Sequence, residues 1–131
     1  MSKVSSPERE LVLSAIYGNL NNVKNALNKI NLKSQKIDWL NYVIFEAIQH
    51  RHLDIVQYLI SYYKANGIIP DYAYLVGEAA ANNQLEIVKF LINDGFDYLT
   101  PDDIKIASNV AYNLVNLDVS DYLDWILKEM K

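Results

Sequence analysis

The stretch Leu85-Glu86-Ile87-Val88-Lys89-Phe90-Leu91-Ile92 has an earlier counterpart in Leu53-Asp54-Ile55-Val56-Gln57-Tyr58-Leu59-Ile60. A third copy, Leu20-Asn21-Asn22-Val23-Lys24-Asn25-Ala26-Leu27, lies one further step back. A weaker fourth, Leu117-Asp118-Val119-Ser120-Asp121-Tyr122-Leu123-Asp124, lies one step on, with Ser120 in place of the valine. The leading leucines, Leu20, Leu53, Leu85 and Leu117, are almost evenly spaced. A fixed period of this kind marks a repeat architecture. In each copy the apolar residues fall at helical spacing. Leu53, Val56, Leu59 and Ile60 line one face, and Asp54, Gln57 and Ser61 lie opposite. The copies therefore read as amphipathic outer helices.

A second helix precedes each one. Residues 39–48 are apolar on nearly every side, as expected of a helix sandwiched between neighbours. Thr100-Pro101-Asp102-Asp103 reads as an N-cap, a first-position proline and first-turn acids. Ser6-Pro7-Glu8 repeats the pattern, and Ile69-Pro70-Asp71 keeps the proline and the acid. Gly67 and Gly95 read as helix stops. These signals predict eight helices, near 7–17, 20–30, 38–50, 53–64, 70–82, 85–94, 101–115 and 118–130, with no period-2 strand. The fold class is all-α.

The segment from Ala79 to Asp97 resembles the Ala-Ala-x-x-Gly-His-Leu-Glu-Ile-Val-x-x-Leu-Leu-x-x-Gly-Ala-Asp run of the ankyrin-repeat family. Ala47 through Ile60 is similar, with His52 at the family's histidine, and so is Ser14 through Leu27, with Gly18 at the family's glycine. The resemblance implies an ankyrin-like solenoid of four stacked helix pairs. It would form a single domain over 1–131, with units near 6–36, 37–68, 69–99 and 100–131. Two features depart from the family. No copy has its Thr-Pro-Leu-His start, and the segment from Gly95 to Thr100 is too short for its long hairpin. The inner helices are expected to extend back into that space from Pro70 and Pro101. The first and last outer helices carry many polar residues, as terminal units of a solenoid require. The chain thus reads as a complete array.

Composition narrows the function. The 131 residues include 51% hydrophobic and 21% charged, with a net charge of −4. That is a globular balance, and a chain of this length buries roughly 65–70% of its unfolded surface. No cysteine is present, which excludes disulfides, thiolate metal sites and cysteine nucleophiles. The acidic balance argues against direct nucleic-acid binding. No apolar run approaches a membrane span, and the start Met-Ser-Lys-Val has no signal-peptide core. A cytoplasmic protein, or one in a host cytoplasm, is expected.

Catalytic constellations are hard to assemble. His50 and His52 are the only histidines. With no further convergent ligands they read as structural: His52 fills an inter-helix turn and His50 ends a helix. Asp102 and Asp103 read as helix-start stabilisers. The four glycines form no phosphate loop, and the serines lack a plausible histidine and acid. No enzyme activity, cofactor or metal is expected.

Tyrosine is abundant, ten against three phenylalanines. Tyr58 and Tyr122 align with Phe90 and are expected in the core. Others form a pattern. Tyr42, Glu46 and His50 are spaced by four, and Tyr74, Glu78 and Asn82 follow one repeat later. Arg9, Leu13 and Tyr17 match them in the first unit. Lys105, Asn109 and Asn113 match them in the fourth, allowing one inserted residue. Spacing by four keeps each trio on one helix face. We expect Tyr42, Glu46, Tyr74 and Glu78 to be exposed, forming a strip with Arg9, Tyr17, His50, Asn82, Lys105 and Asn109 that binds another protein. Charge is uneven too. Residues 1–36 hold six basic and two acidic side chains, and residues 94–131 hold eight acidic and three basic. The alternative reading is an acidic decoy that blocks a nucleic-acid-binding protein. Richness in Asn, Ile, Lys and Tyr fits an AT-rich genome, such as that of a large DNA virus, a phage or an intracellular bacterium, and an inhibitory or host-directed role. No membrane partner is expected.

Overall fold

The computed structural model describes residues 5–130. The Met1–Val4 start and Lys131, the last residue of the fourth expected unit, lie outside the described residues. Among the described residues eight α-helices follow one another: α1 (Pro7–Tyr17), α2 (Leu20–Leu27), α3 (Ile37–Gln49), α4 (Leu53–Ala65), α5 (Tyr72–Ala81), α6 (Leu85–Gly95), α7 (Pro101–Asn113) and α8 (Leu117–Glu129). Single 3-10 turns stand at Leu32–Ser34 and Phe96–Tyr98, and no strand occurs among the described residues. The chain divides into two compact units, Met1–Pro70 and Asp71–Lys131. In the first, α1 packs on α2 and α3, and α3 on α4. In the second, α5 packs on α6 and α7, and α7 on α8. Each unit thus holds two stacked helix pairs.

Side chains cap the starts of four helices, α1, α2, α5 and α7. The Ser6 hydroxyl accepts from the Arg9 amide at 3.1 Å, with Pro7 at the first helical position. Thr100 and Asp103 form a reciprocal capping box, 3.2 and 2.9 Å, ahead of Pro101. Asp103 therefore has a structural task. Pro70, by contrast, does not begin a helix. The Asp71 carboxylate accepts from the Tyr74 amide, so Asp71 is the cap and α5 starts at Tyr72. Two ends also differ from expectation. Asn28 closes α2 at Leu27, short of residue 30. Gly95 ends no helix by a left-handed turn: its φ is −106° and the chain runs on into Phe96–Tyr98. Its lack of a side chain serves packing, because a Cβ there would collide with the Tyr72 ring.

The turn between the helices of each pair is built the same way four times. Gly18, Arg51, Asn83 and Val115 all take positive φ, 78°, 67°, 55° and 62°. The next residue's amide then reaches back to a carbonyl in the last turn of the inner helix: Asn19 to Ser14, His52 to Ala47, Gln84 to Ala79 and Asn116 to Ala111, at 2.8–3.0 Å. This Schellman closure satisfies carbonyls that the helix end leaves open. Only the first copy uses glycine, the residue best suited to the left-handed region.

The core lies along the inner faces. Leu11, Val43, Ile44, Ala47, Val56 and Tyr63 are fully buried in the first unit, and Leu75, Ala79, Val88, Leu91 and Ile104 in the second. The last repeat differs. Ser108, Ser120 and Asp124 stand where the third repeat has Val76, Val88 and Ile92. The Ser108 hydroxyl donates to Asp124 at 2.5 Å, and the Ser120 hydroxyl to the Leu117 carbonyl at 3.2 Å. Polar atoms in that part of the core thus keep partners.

Candidate partner-binding surfaces

The shared turn fixes how the repeats align, and so which residues correspond along the expected strip. Counting back from the left-handed residue gives Arg9, Leu13 and Tyr17; Tyr42, Glu46 and His50; Tyr74, Glu78 and Asn82; and then Ile106, Val110 and Leu114. No inserted residue separates the third and fourth repeats, because Asn83 and Val115 stand one regular step apart and are closed alike. Lys105, Asn109 and Asn113 therefore sit one position off the strip, although all three are exposed on α7. The true fourth trio is apolar, and Ile106 and Leu114 are 63% and 54% exposed.

Tyr42 and Tyr74 are exposed to nearly the same degree, 41% and 40%. Arg9 and Tyr17 are exposed as well. Glu46 is not: it is buried, at 8%. It sits between buried Val43 and Ala47 on α3, which α1 and α4 cover. The His50 ring also folds back over this turn, its Nδ1–H donating to the Glu46 carbonyl at 2.9 Å. Glu78 and Asn82 are half-buried. Asn82 repeats the task of His50, its Nδ2 donating to the Glu78 carbonyl at 2.8 Å. Two strip residues are thus partly committed to closing their helices.

His52 has a different task. Its Nε2–H donates to the Ile16 carbonyl at 3.0 Å, and its ring occupies the space where a Gly18 side chain would be. Asn116 does the same in the second unit, its Nδ2 donating to the Ala80 carbonyl at 2.9 Å. Both bonds reach back by the same distance along the chain, so within each unit the position ties the second outer helix, α4 or α8, to the first inner helix, α1 or α5. Among the described residues no group of three or more His, Asp or Glu side chains is placed to hold a metal ion. Ser108 does meet a carboxylate in Asp124, a pairing the sequence reading misses, but neither histidine belongs to that unit.

Tyr58 and Tyr122 are half-buried, not core. Each ring lies on the flank of an outer helix, under a lysine of the preceding repeat. Lys24 Nζ is 5.2 Å from the Tyr58 ring centroid, and Lys89 Nζ 5.7 Å from that of Tyr122. Tyr62 stacks beside Tyr58 at 6.0 Å, and Trp125 tilts against Tyr122 at 6.1 Å. Trp125 and Leu117 are exposed, so α8 is less polar than its aspartates suggest.

The buried tyrosines are Tyr63 and Tyr72. Burial pushes the Tyr63 phenol well above its ordinary value, and its hydroxyl donates to the Leu40 carbonyl at 3.1 Å. Tyr72 is raised by burial first, then by its 2.7 Å bond to the Asp94 carboxylate. A groove of about 610 Å³ opens between α1 and α2, lined by Glu10, Leu13, Tyr17, Asn22, Asn25 and Lys29. Two strip residues, Leu13 and Tyr17, border it.

A profile of ankyrin repeats matches residues 11–102 in three copies. The chain belongs to the ankyrin-repeat family. No curated protein and no solved structure matches it significantly. The architecture is that of an all-α ankyrin-like solenoid of stacked helix pairs. Ankyrin repeats generally serve as protein–protein interaction modules, and the family is typically non-catalytic. The fourth helix pair lies almost wholly beyond the matched span. Its serines at 108 and 120 and its Asp124 break the apolar pattern there.

Proposed function

We propose that the chain is a non-catalytic module that binds another protein through the repeated inner-helix strip. The observation that carries this reading is the matched exposure of Tyr42 and Tyr74 at equivalent positions of successive repeats. Core packing needs no phenol there, whereas interfaces favour tyrosine for its large apolar ring and polar tip. Arg9 and Tyr17 extend the same series in the first repeat. Lys105 and Asn109 flank it in the last. His50, Asn82 and Glu78 belong to the same series and would add polar contacts, whereas buried Glu46 would not reach a partner. The reading uses no cofactor or metal. Its finer form is an inhibitor or host-directed ligand, supported by sequence character alone. Uneven charge supports the second reading, an acidic decoy. Its mark would be a nucleic-acid-binding partner released on neutralising the acidic C-terminal repeat.

Affinity capture from the native source followed by mass spectrometry would supply the partner. Calorimetry with the Tyr42→Ala, Tyr74→Ala variant then tests the strip. The expected result is a loss of about tenfold or more in affinity, as for aromatic anchors at an interface centre, with a thermal midpoint within a few degrees of wild type. Unchanged affinity with a collapsed midpoint would return both tyrosines to a structural role.

A further inference from the structure

The turn between α7 and α8 departs most from its three siblings. The residues at the corresponding corners are Tyr17-Gly18, His50-Arg51, Asn82-Asn83 and Leu114-Val115. The backbone is the same in all four, so closing the turn does not demand an apolar pair. A left-handed conformation suits glycine and asparagine and resists a β-branched side chain. Val115 nevertheless adopts it while 72% exposed, so burial does not compensate. Tyr112, Leu114 and Leu117 around it are exposed as well. The corner is also held firmly: Asn116 Nδ2 bridges to the Ala80 and Ala81 carbonyls at 2.9 and 3.3 Å. Leu114 and Val115, on this pinned and strained turn, have no task in folding that Asn82 and Asn83 or His50 and Arg51 do not perform at the same corner, and exposed Tyr112 and Leu117 extend the apolar patch around them.

Charge indicates what would cover them. Between Lys105 and Lys128 the sequence has three acidic residues, Asp118, Asp121 and Asp124, and no basic one, and the lysine that α6 brings to α8, Lys89, lies over the Tyr122 ring. All three are exposed, on the helix that leaves the turn. An apolar corner with an acidic flank complements a surface that is apolar at its centre and basic at its edge.

We propose that the α7–α8 turn docks a cationic amphipathic segment of another protein, with Leu114 and Val115 as apolar anchors and Asp118 and Asp121 facing its lysines or arginines. Leu114 stands at the last position of the fourth trio, but the site uses none of Arg9, Tyr17, Tyr42 or Tyr74 and does not rest on the reading of the tyrosine strip. The probe is a short amphipathic peptide of leucine and lysine, with a leucine–glutamate peptide of the same pattern as control. Each is titrated into the ¹⁵N-labelled full chain. The lysine peptide should shift amides from Tyr112 to Asp121, and the glutamate peptide should not. A Leu114→Ser, Val115→Asn variant should bind about tenfold more weakly, with its thermal midpoint unchanged or raised, because asparagine tolerates the left-handed turn. Absence of binding, shifts centred elsewhere, equal binding by the variant, or a lowered midpoint would each overturn the proposal. Sedimentation decides the remaining case. A dimer lost in the variant would make a second copy of this chain the occupant and would also overturn it.

Discussion

Gly18 and Val115 occupy the same left-handed corner of their repeats, closed by the same amide bond, yet their surroundings are opposite. Gly18 faces the His52 ring, which fills the space a side chain would take and donates to the Ile16 carbonyl. Val115 projects into solvent, and the tie beside it is made by the Asn116 amide alone. The same backbone solution thus serves two ends. In the first unit the corner is a packing joint. In the second, a hydrogen bond holds the corner and leaves its side chains free for other contacts.

The largest effect should follow from removing the joint. His52→Ala takes away a ring packed at Gly18 and the donor to Ile16, so we expect a loss of roughly 2–4 kcal/mol in urea unfolding. Asn116→Ala removes hydrogen bonds without a comparable volume and should cost about 1 kcal/mol. Equal losses would erase the distinction between a packed and a merely bonded corner.

Helix pairs are legible in the sequence because the Leu-x-Ile-Val-x-x-Leu-Ile pattern recurs at a fixed step. Left-handed corners are not, because Arg51, Asn83 and Val115 carry no glycine signal; the geometry is imposed by the Schellman bonds. The fourth strip is misplaced in the sequence for a related reason. Lys105, Asn109 and Asn113 look like the polar trios before them, but the corner at Val115 fixes the register one residue further on. Spacing by four reveals that Glu46 shares a face with Tyr42. It carries no information on how far α1 and α4 cover that face.

A smaller effect concerns alkaline pH and sets Tyr63 in the first unit beside Tyr72 in the second. Both phenols are held above their ordinary value, Tyr63 by burial and Tyr72 by burial and the Asp94 carboxylate. The unfolded chain therefore gives up these protons first, near pH 10, and binds fewer protons than the folded chain above it. Stability should be level below about pH 10 and fall as pH rises through the folded values. Tyr63→Phe should lose about 1 kcal/mol at neutral pH with its bond to Leu40, and should flatten part of the alkaline decline. Tyr72→Phe should flatten it further. A decline of the same slope in the double variant would assign it to other groups.

The most direct test introduces one residue at both corners. Asparagine accepts the left-handed backbone, so Gly18→Asn and Val115→Asn isolate what each side chain meets. Unfolding free energies of the two variants should move in opposite directions. Gly18→Asn should lose roughly 1–3 kcal/mol, because its side chain enters the space held by His52. Val115→Asn should gain about 1 kcal/mol by relieving the strained valine. Changes of the same sign at both corners would contradict the division between a packing joint and an exposed, dispensable one.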